Sequence, residues 1–150
     1  DLDSTRPIVF MTGGSLGAQT LNDSMALALP LFRKKGIQVL WQSGSYYYEQ
    51  FKAHHCEGVK VMAYVDRMDL AYQAADVIVA RAGASTISEL ALIAKPSILI
   101  PSPNVTEDHQ NKNAQAMVDA RAIIKISDEN AREKMGHEVI QLLDDRVRQQ

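Results

Sequence analysis

Short apolar runs alternate with longer amphipathic stretches along this chain. The runs fall at 7–11, 37–42, 58–62, 76–80, 97–101 and 122–126. The run at 76–80 (Asp-Val-Ile-Val-Ala) is β-branched and reads as a buried parallel strand, and 97–101 is apolar enough to be interior. Between them, helical spacing recurs. Leu21, Met25, Ala28, Leu29 and Phe32 make one stripe, with Pro30 expected to break or kink the helix near Leu29 and Gly36 closing it. Residues 45–51 and 69–75 read as short helices. Ile87, Leu90, Ala91 and Ala94 form the stripe of a helix that starts after Gly83. A helix over 109–121 turns Ala114, Met117 and Val118 inward. Ser127-Asp128 caps a last helix whose apolar side is Met135, Val139, Leu142 and Leu143. Six alternations predict an α/β fold with a doubly wound parallel sheet of about six strands. Right-handed crossovers then bring the loops 13–17, 64–67, 81–85 and 102–110 to one carboxyl edge, where such sheets bind ligands.

Two of those loops carry chemistry. After the fourth strand, Arg81-Ala82-Gly83-Ala84-Ser85-Thr86-Ile87-Ser88-Glu89 is a strand, a glycine turn and a helix start. The first helical turn leaves backbone N–H groups unpaired at the positive end of the dipole, which suits a phosphate. Ser85, Ser88 and Glu89 share one face, so a carboxylate one turn on could accept hydrogen bonds from sugar hydroxyls. The structural alternative is a capping box, Thr86-x-x-Glu89, in which Glu89 only bonds a backbone N–H. After the first strand, Thr12-Gly13-Gly14-Ser15-Leu16-Gly17-Ala18 is a second glycine turn, able to aim N–H groups at an anion. No Gly-Lys-Ser/Thr follows it, so it is not a Walker loop. It matches G-x-G-x-x-G loosely, and a tight strand-to-helix turn is its structural alternative.

Composition narrows the classes. The chain has 150 residues, 46% hydrophobic and 23% charged, with a net charge of -2. That is one domain's worth of soluble globular sequence without a basic stripe for nucleic acid. The single Cys56 excludes an internal disulfide framework and a Cys-rich zinc site, and a reducing cytoplasmic setting fits it. A small buried hydrophobe is its default role. His54 and His55 are adjacent and do not share a helical face, and the run Tyr46-Tyr47-Tyr48 reads as partly exposed packing. Asp144-Asp145 reads as a solvated helix face, and no Asp-x-Asp pair that would chelate a metal diphosphate is present. A chain that starts Asp1-Leu2-Asp3 and enters its first strand at once is expected to be a piece of a longer protein.

Four blocks, Gly13–Ala18, Tyr64-Val65-Asp66-Arg67-Met68, Ala75–Glu89 and Asp108–Ala114, occur in an order and spacing that resemble the C-terminal domain of the MurG family of bacterial peptidoglycan glycosyltransferases. The resemblance covers nearly the whole chain. It implies one Rossmann-like half of a GT-B enzyme that moves N-acetylglucosamine from UDP-N-acetylglucosamine to the muramyl-pentapeptide lipid. Carried over by position, Ser15 meets the diphosphate on the loop of Gly13, Gly14 and Gly17. The backbone of Val65 reads the uracil edge, and Arg81 sits beside the nucleotide pocket. Ala84, Ser85 and Thr86, with Ser88 on the same helix, serve phosphate and sugar. Glu89 holds the ribose hydroxyls, and Gln110 the N-acetylglucosamine. Leu16 and His109 stand where glutamines are common in the family. No cofactor and no bound metal are implied. The acceptor site, catalytic base and membrane contact belong to an N-terminal domain absent from these 150 residues. The isolated chain, 1–150, truncated near its C-terminal helix, is then expected to bind donor without turnover. The longer protein would sit on the cytoplasmic face of the inner membrane. The remaining alternatives are another GT-B transferase, an epimerase, the binding subunit of a split transferase, and an NAD-binding domain.

Overall fold

The computed structural model describes residues 2–103, 108–119 and 123–149. Six strands form one parallel sheet: β1 (Ile8–Thr12), β2 (Gln38–Gln42), β3 (Val59–Met62), β4 (Val77–Ala80), β5 (Ser97–Leu99) and β6 (Ile123–Lys125). Their spatial order is β3-β2-β1-β4-β5-β6. This is the doubly wound Rossmann-like arrangement that the alternating pattern predicts, and its order reverses between β1 and β4. Register is continuous across that point, with Phe10 beside Ile78 and Thr12 beside Ala80.

Side-chain parity builds two cores. Val9, Met11, Val39, Trp41, Val77, Val79 and Ile98 face one way, onto α1 (Gln19–Lys34) and α6 (Asp128–Gln149). Phe10, Ile78, Ala80 and Leu99 face the other way, onto α3 (Met68–Ala74), α4 (Ala84–Ile93) and α5 (Asp108–Asp119). A sheet covered on both faces explains why its strands read as unbroken apolar runs. The last helix returns from β6 to lie along α1. Gly136 permits the close crossing, because a Cβ there would stand 3.0 Å from the Ala28 Cβ. Arg132 reinforces it with an ion pair to Asp23 at 2.9 Å.

Some local expectations need correction. Pro30 does not end α1, which runs on to Lys34. Pro30 is exposed, so the hydrogen bond it forfeits lies on the solvent side, while Phe32 beyond it is fully buried and holds the last turn to the core. The helix over 45–51 shrinks to α2 (Tyr48–Phe51) and a 3-10 turn at Lys52–His54, since Phe51 is its one buried residue. Asp128 begins α6, but its carboxylate is turned toward Arg81 and Thr20 rather than back onto the helix. In α4, Ala91 and Ala94 are exposed and Ala94 ends the helix in the left-handed region at φ 57°, leaving Leu90 as the buried residue. On α5, Ala114 is buried and Met117 partly so; Val118 lies outside the described side chains, as do loop residues 104–107 and strand residue 122 outside the described chain.

Candidate functional site

The carboxyl edge opens into a cleft of about 780 Å³ directly above the β1/β4 reversal. Its two walls are helix starts. The N-cap of α1 is Ala18 and that of α4 is Gly83, and neither helix start carries a side-chain capping hydrogen bond. A helix start with unsatisfied N–H groups attracts an anion, and here two of them flank one space.

The glycine loop after β1 is shaped by contact with its neighbour. Gly17 (φ 97°) and Gly44 (φ 87°) lie face to face, and a Cβ on either would collide with backbone of the other loop. Ser45 N–H donates to the Ser15 carbonyl at 3.0 Å and Tyr46 N–H to the Leu16 carbonyl at 3.3 Å, so the loop is stitched to the turn after β2. Gly13 is equally tight, its added Cβ standing 2.8 Å from the Ala18 nitrogen, whereas nothing lies within 4 Å of one on Gly14. The turn is therefore structural at Gly13 and Gly17 and open toward the cleft at Gly14. The Gly14 N–H itself is bonded to the Thr12 hydroxyl oxygen at 3.1 Å.

Gln42, at the end of β2, ties three segments together. Its amide nitrogen donates to Thr12 Oγ1 (2.8 Å) and to the Gly14 carbonyl (3.0 Å). Its carbonyl oxygen accepts the Val65 N–H at 2.8 Å. Val65 itself is buried in the core and lies outside the cleft lining, while its neighbours Tyr64 and Met68 line it. Arg81 lines the cleft with its guanidinium held by the carbonyls of Ile100 (3.2 Å) and Pro101 (3.1 Å) and paired with Asp128 at 2.6 Å. Its charge is already matched, and it also clamps β4 to β5 and to α6.

The Thr86-x-x-Glu89 capping box does not form, because Gly83 rather than Thr86 is the N-cap. Glu89 instead accepts a hydrogen bond from the Tyr72 hydroxyl at 2.6 Å. Burial first, then this bond and the charge of Glu89, push the Tyr72 phenol well above its ordinary range.

The cleft thus collects Gly13, Gly14, Ser15, Leu16, Gly17, Arg81, Ser85, Thr86, Glu89 and Gln110 from the sequence-based set. Gln110 Oε1 accepts the Ser102 N–H at 3.0 Å, placing the start of α5 against the β5 loop. Ala84 and Ser88 are exposed outside the lining, Ser88 donating to the Ala84 carbonyl at 3.1 Å, and His109 is likewise exposed outside it. Lining residues outside that set include Thr12, Thr20, Gln42, Tyr72, Ser102 and Asp128. Gln42 closes a strand and Asp128 opens a helix, so each reads as ordinary punctuation in sequence. Among the described residues no group of three His, Cys, Asp or Glu side chains is placed to hold a metal ion, and no helix is long and apolar enough to cross a membrane.

The family model for the glycosyltransferase family 28 C-terminal domain matches residues 8–150. The chain belongs to this family. Among curated relatives, a UDP-N-acetylglucosamine--N-acetylmuramyl-(pentapeptide) pyrophosphoryl-undecaprenol N-acetylglucosamine transferase of Cytophaga hutchinsonii is 48% identical over 137 residues, spanning 91% of this chain and 37% of that protein. The like-named protein of Flavobacterium psychrophilum is 40% identical over 150 residues, spanning 99% and 41%. The chain thus covers about two fifths of the length of these relatives. Among solved structures, MurG of Acinetobacter baumannii superposes with a TM-score of 0.79 at 27% identity over 92% of this chain and 42% of that one. A kitacinnamycin glycotransferase, at 18% identity and a TM-score of 0.75 over 95% and 36%, shares the fold.

Proposed function

We propose that this chain is the donor-binding domain of a UDP-N-acetylglucosamine-dependent, inverting transferase that glycosylates the muramyl-pentapeptide lipid of peptidoglycan. The observation that carries the proposal is the pair of helix starts, α1 and α4, facing one cleft with Glu89 a turn behind the α4 tip. In this reading the diphosphate lies between the two helix starts beside Ser15, Ser85 and Thr86, with Ala84 contributing its amide. As the glycosidic bond breaks, charge grows on the departing UDP, and preoriented N–H dipoles stabilise it without a metal. Glu89 would repel phosphate and suits a neutral diol, so it takes the ribose. The uracil lies toward Tyr64 and the Val65 carbonyl, with Arg81 beside it. N-acetylglucosamine lies toward Gln110, while His109 and Ser88 stand outside the contact set.

The acceptor lipid, the base that activates its hydroxyl and the contact with the cytoplasmic face of the membrane fall to a further, N-terminal domain. The proposal is tested by recording amide resonances of the chain as UDP is added. The largest shifts are expected at residues 13–20 and 83–87. Shifts confined to another face, or none with UDP in large excess, would overturn it.

A further inference from the structure

Tyr72 and Glu89 approach from different helices, α3 and α4, and share a 2.6 Å hydrogen bond in which the phenol donates to Glu89 Oε2. The two ends of this bond are not alike. Tyr72 is 4% exposed and packed edge-on against Phe10, with ring centroids 5.6 Å apart. Its backbone is anchored as well. Lys95 Nζ donates to the carbonyls of Tyr72, Gln73 and Ala75 at 2.5–2.7 Å, fixing the last turn of α3 to the loop that follows α4. Glu89 is exposed on α4 and lines the cleft. The rigid partner is the tyrosine, and the carboxylate is the one that needs holding. Burial keeps the phenol protonated far into the alkaline range, so it remains a donor.

A carboxylate that is to accept from both hydroxyls of a ribose cis-diol must keep its plane fixed while losing little of its acceptor capacity. It has about four lone-pair sites, and one phenol occupies one of them. An exposed glutamate without that bond would lose rotamer freedom on each binding event, at a cost of roughly two- to tenfold in affinity. We propose that Tyr72 is a positioning residue that orients Glu89 toward the ribose diol and thereby sets the preference of the cleft for ribonucleotides over 2′-deoxyribonucleotides. This rests on the reading of Glu89 as the ribose acceptor.

The test compares dissociation constants for UDP and 2′-deoxy-UDP on the wild-type chain, Tyr72→Phe and Glu89→Ala, with unfolding midpoints recorded for each. A hydrogen bond to a charged acceptor is worth about tenfold or more, so wild type is expected to prefer UDP by about that factor. Glu89→Ala should abolish the preference. Tyr72→Phe should lower it about threefold, weakening UDP more than 2′-deoxy-UDP, which keeps only one of the two hydroxyls. A Tyr72→Phe chain that keeps the full preference, or weakens both nucleotides equally, overturns the role of Tyr72 while leaving Glu89 its own. Retention of the preference in Glu89→Ala, its absence in wild type, or failure of wild type to bind either nucleotide overturns the reading of Glu89 and the role of Tyr72 with it.

Discussion

Gln42 ends a strand, faces no solvent and spends every polar atom on the loops around the cleft: Thr12 and Gly14 on one side, Val65 on the other. Gln42→Leu would strand the buried Val65 N–H at a cost of about 1–3 kcal/mol, while the exposed Gly14 carbonyl can turn to water. We expect a loss of about 1–3 kcal/mol in denaturant unfolding; a change within a few tenths would show that water replaces the amide. Tyr72 gives a pH-dependent signature. Its folded pKa lies above the ordinary value of 10.0, so the stability it confers is fully present below that pH and is lost as pH rises through the elevated folded value. The stability difference between wild type and Tyr72→Phe should therefore be constant from pH 7 to about 9 and shrink above about 10, and a difference that grows there would contradict the assignment. Such roles explain what sequence leaves hidden. Glycines, hydroxyls and a carboxylate behind an apolar strand mark the cleft lining by type and spacing. Gln42, Tyr72 and Asp128 acquire theirs only when loops from distant parts of the chain meet.

At the scale of elements, the strands were legible because burial on both faces leaves each as an unbroken apolar run, and each begins or ends within a residue or two of its predicted bounds where described. Helices were less so. Pro30 misleads because its missing N–H faces solvent while Phe32 anchors the turn beyond it. The segment after Gly44 misleads in the other direction: it reads as a helix over 45–51, but only Tyr48–Phe51 is helical, with Phe51 its one fully buried residue. The crossing of α6 on α1 makes a further prediction. Gly136→Val would push a branched side chain into Ala28 and Leu31, where a Cβ already stands 3.0 Å from the Ala28 Cβ and 3.8 Å from Leu31 Cδ2. Overpacking there should cost about 1–3 kcal/mol in thermal or denaturant unfolding. An unchanged midpoint would mean that the two helices separate freely, and with them Thr20 and Asp128, which are bonded at 3.0 Å at the mouth of the cleft.

For the whole molecule, strand order explains why the site lies where it does. The reversal between β1 and β4 sends α1 and α4 to opposite faces and leaves their starts to face one cleft. The order itself was not legible in sequence, since alternation of strands and helices is compatible with more than one doubly wound sheet. A cleft walled by two helix starts and lined by Glu89 is what the proposed donor-binding role requires. Consistent with that, the purified chain is expected to release no measurable UDP from UDP-N-acetylglucosamine when lipid acceptor is supplied, and robust transfer would show that acceptor chemistry resides here after all. The most direct measurement is calorimetric titration of the chain with UDP-N-acetylglucosamine, UDP-glucose and NAD, beside Glu89→Ala. Binding of the uridine sugars, tighter for the acetamido sugar and weakened in Glu89→Ala, is the predicted result. Binding of NAD with no heat from either uridine sugar would contradict a donor site for a glycosyltransferase.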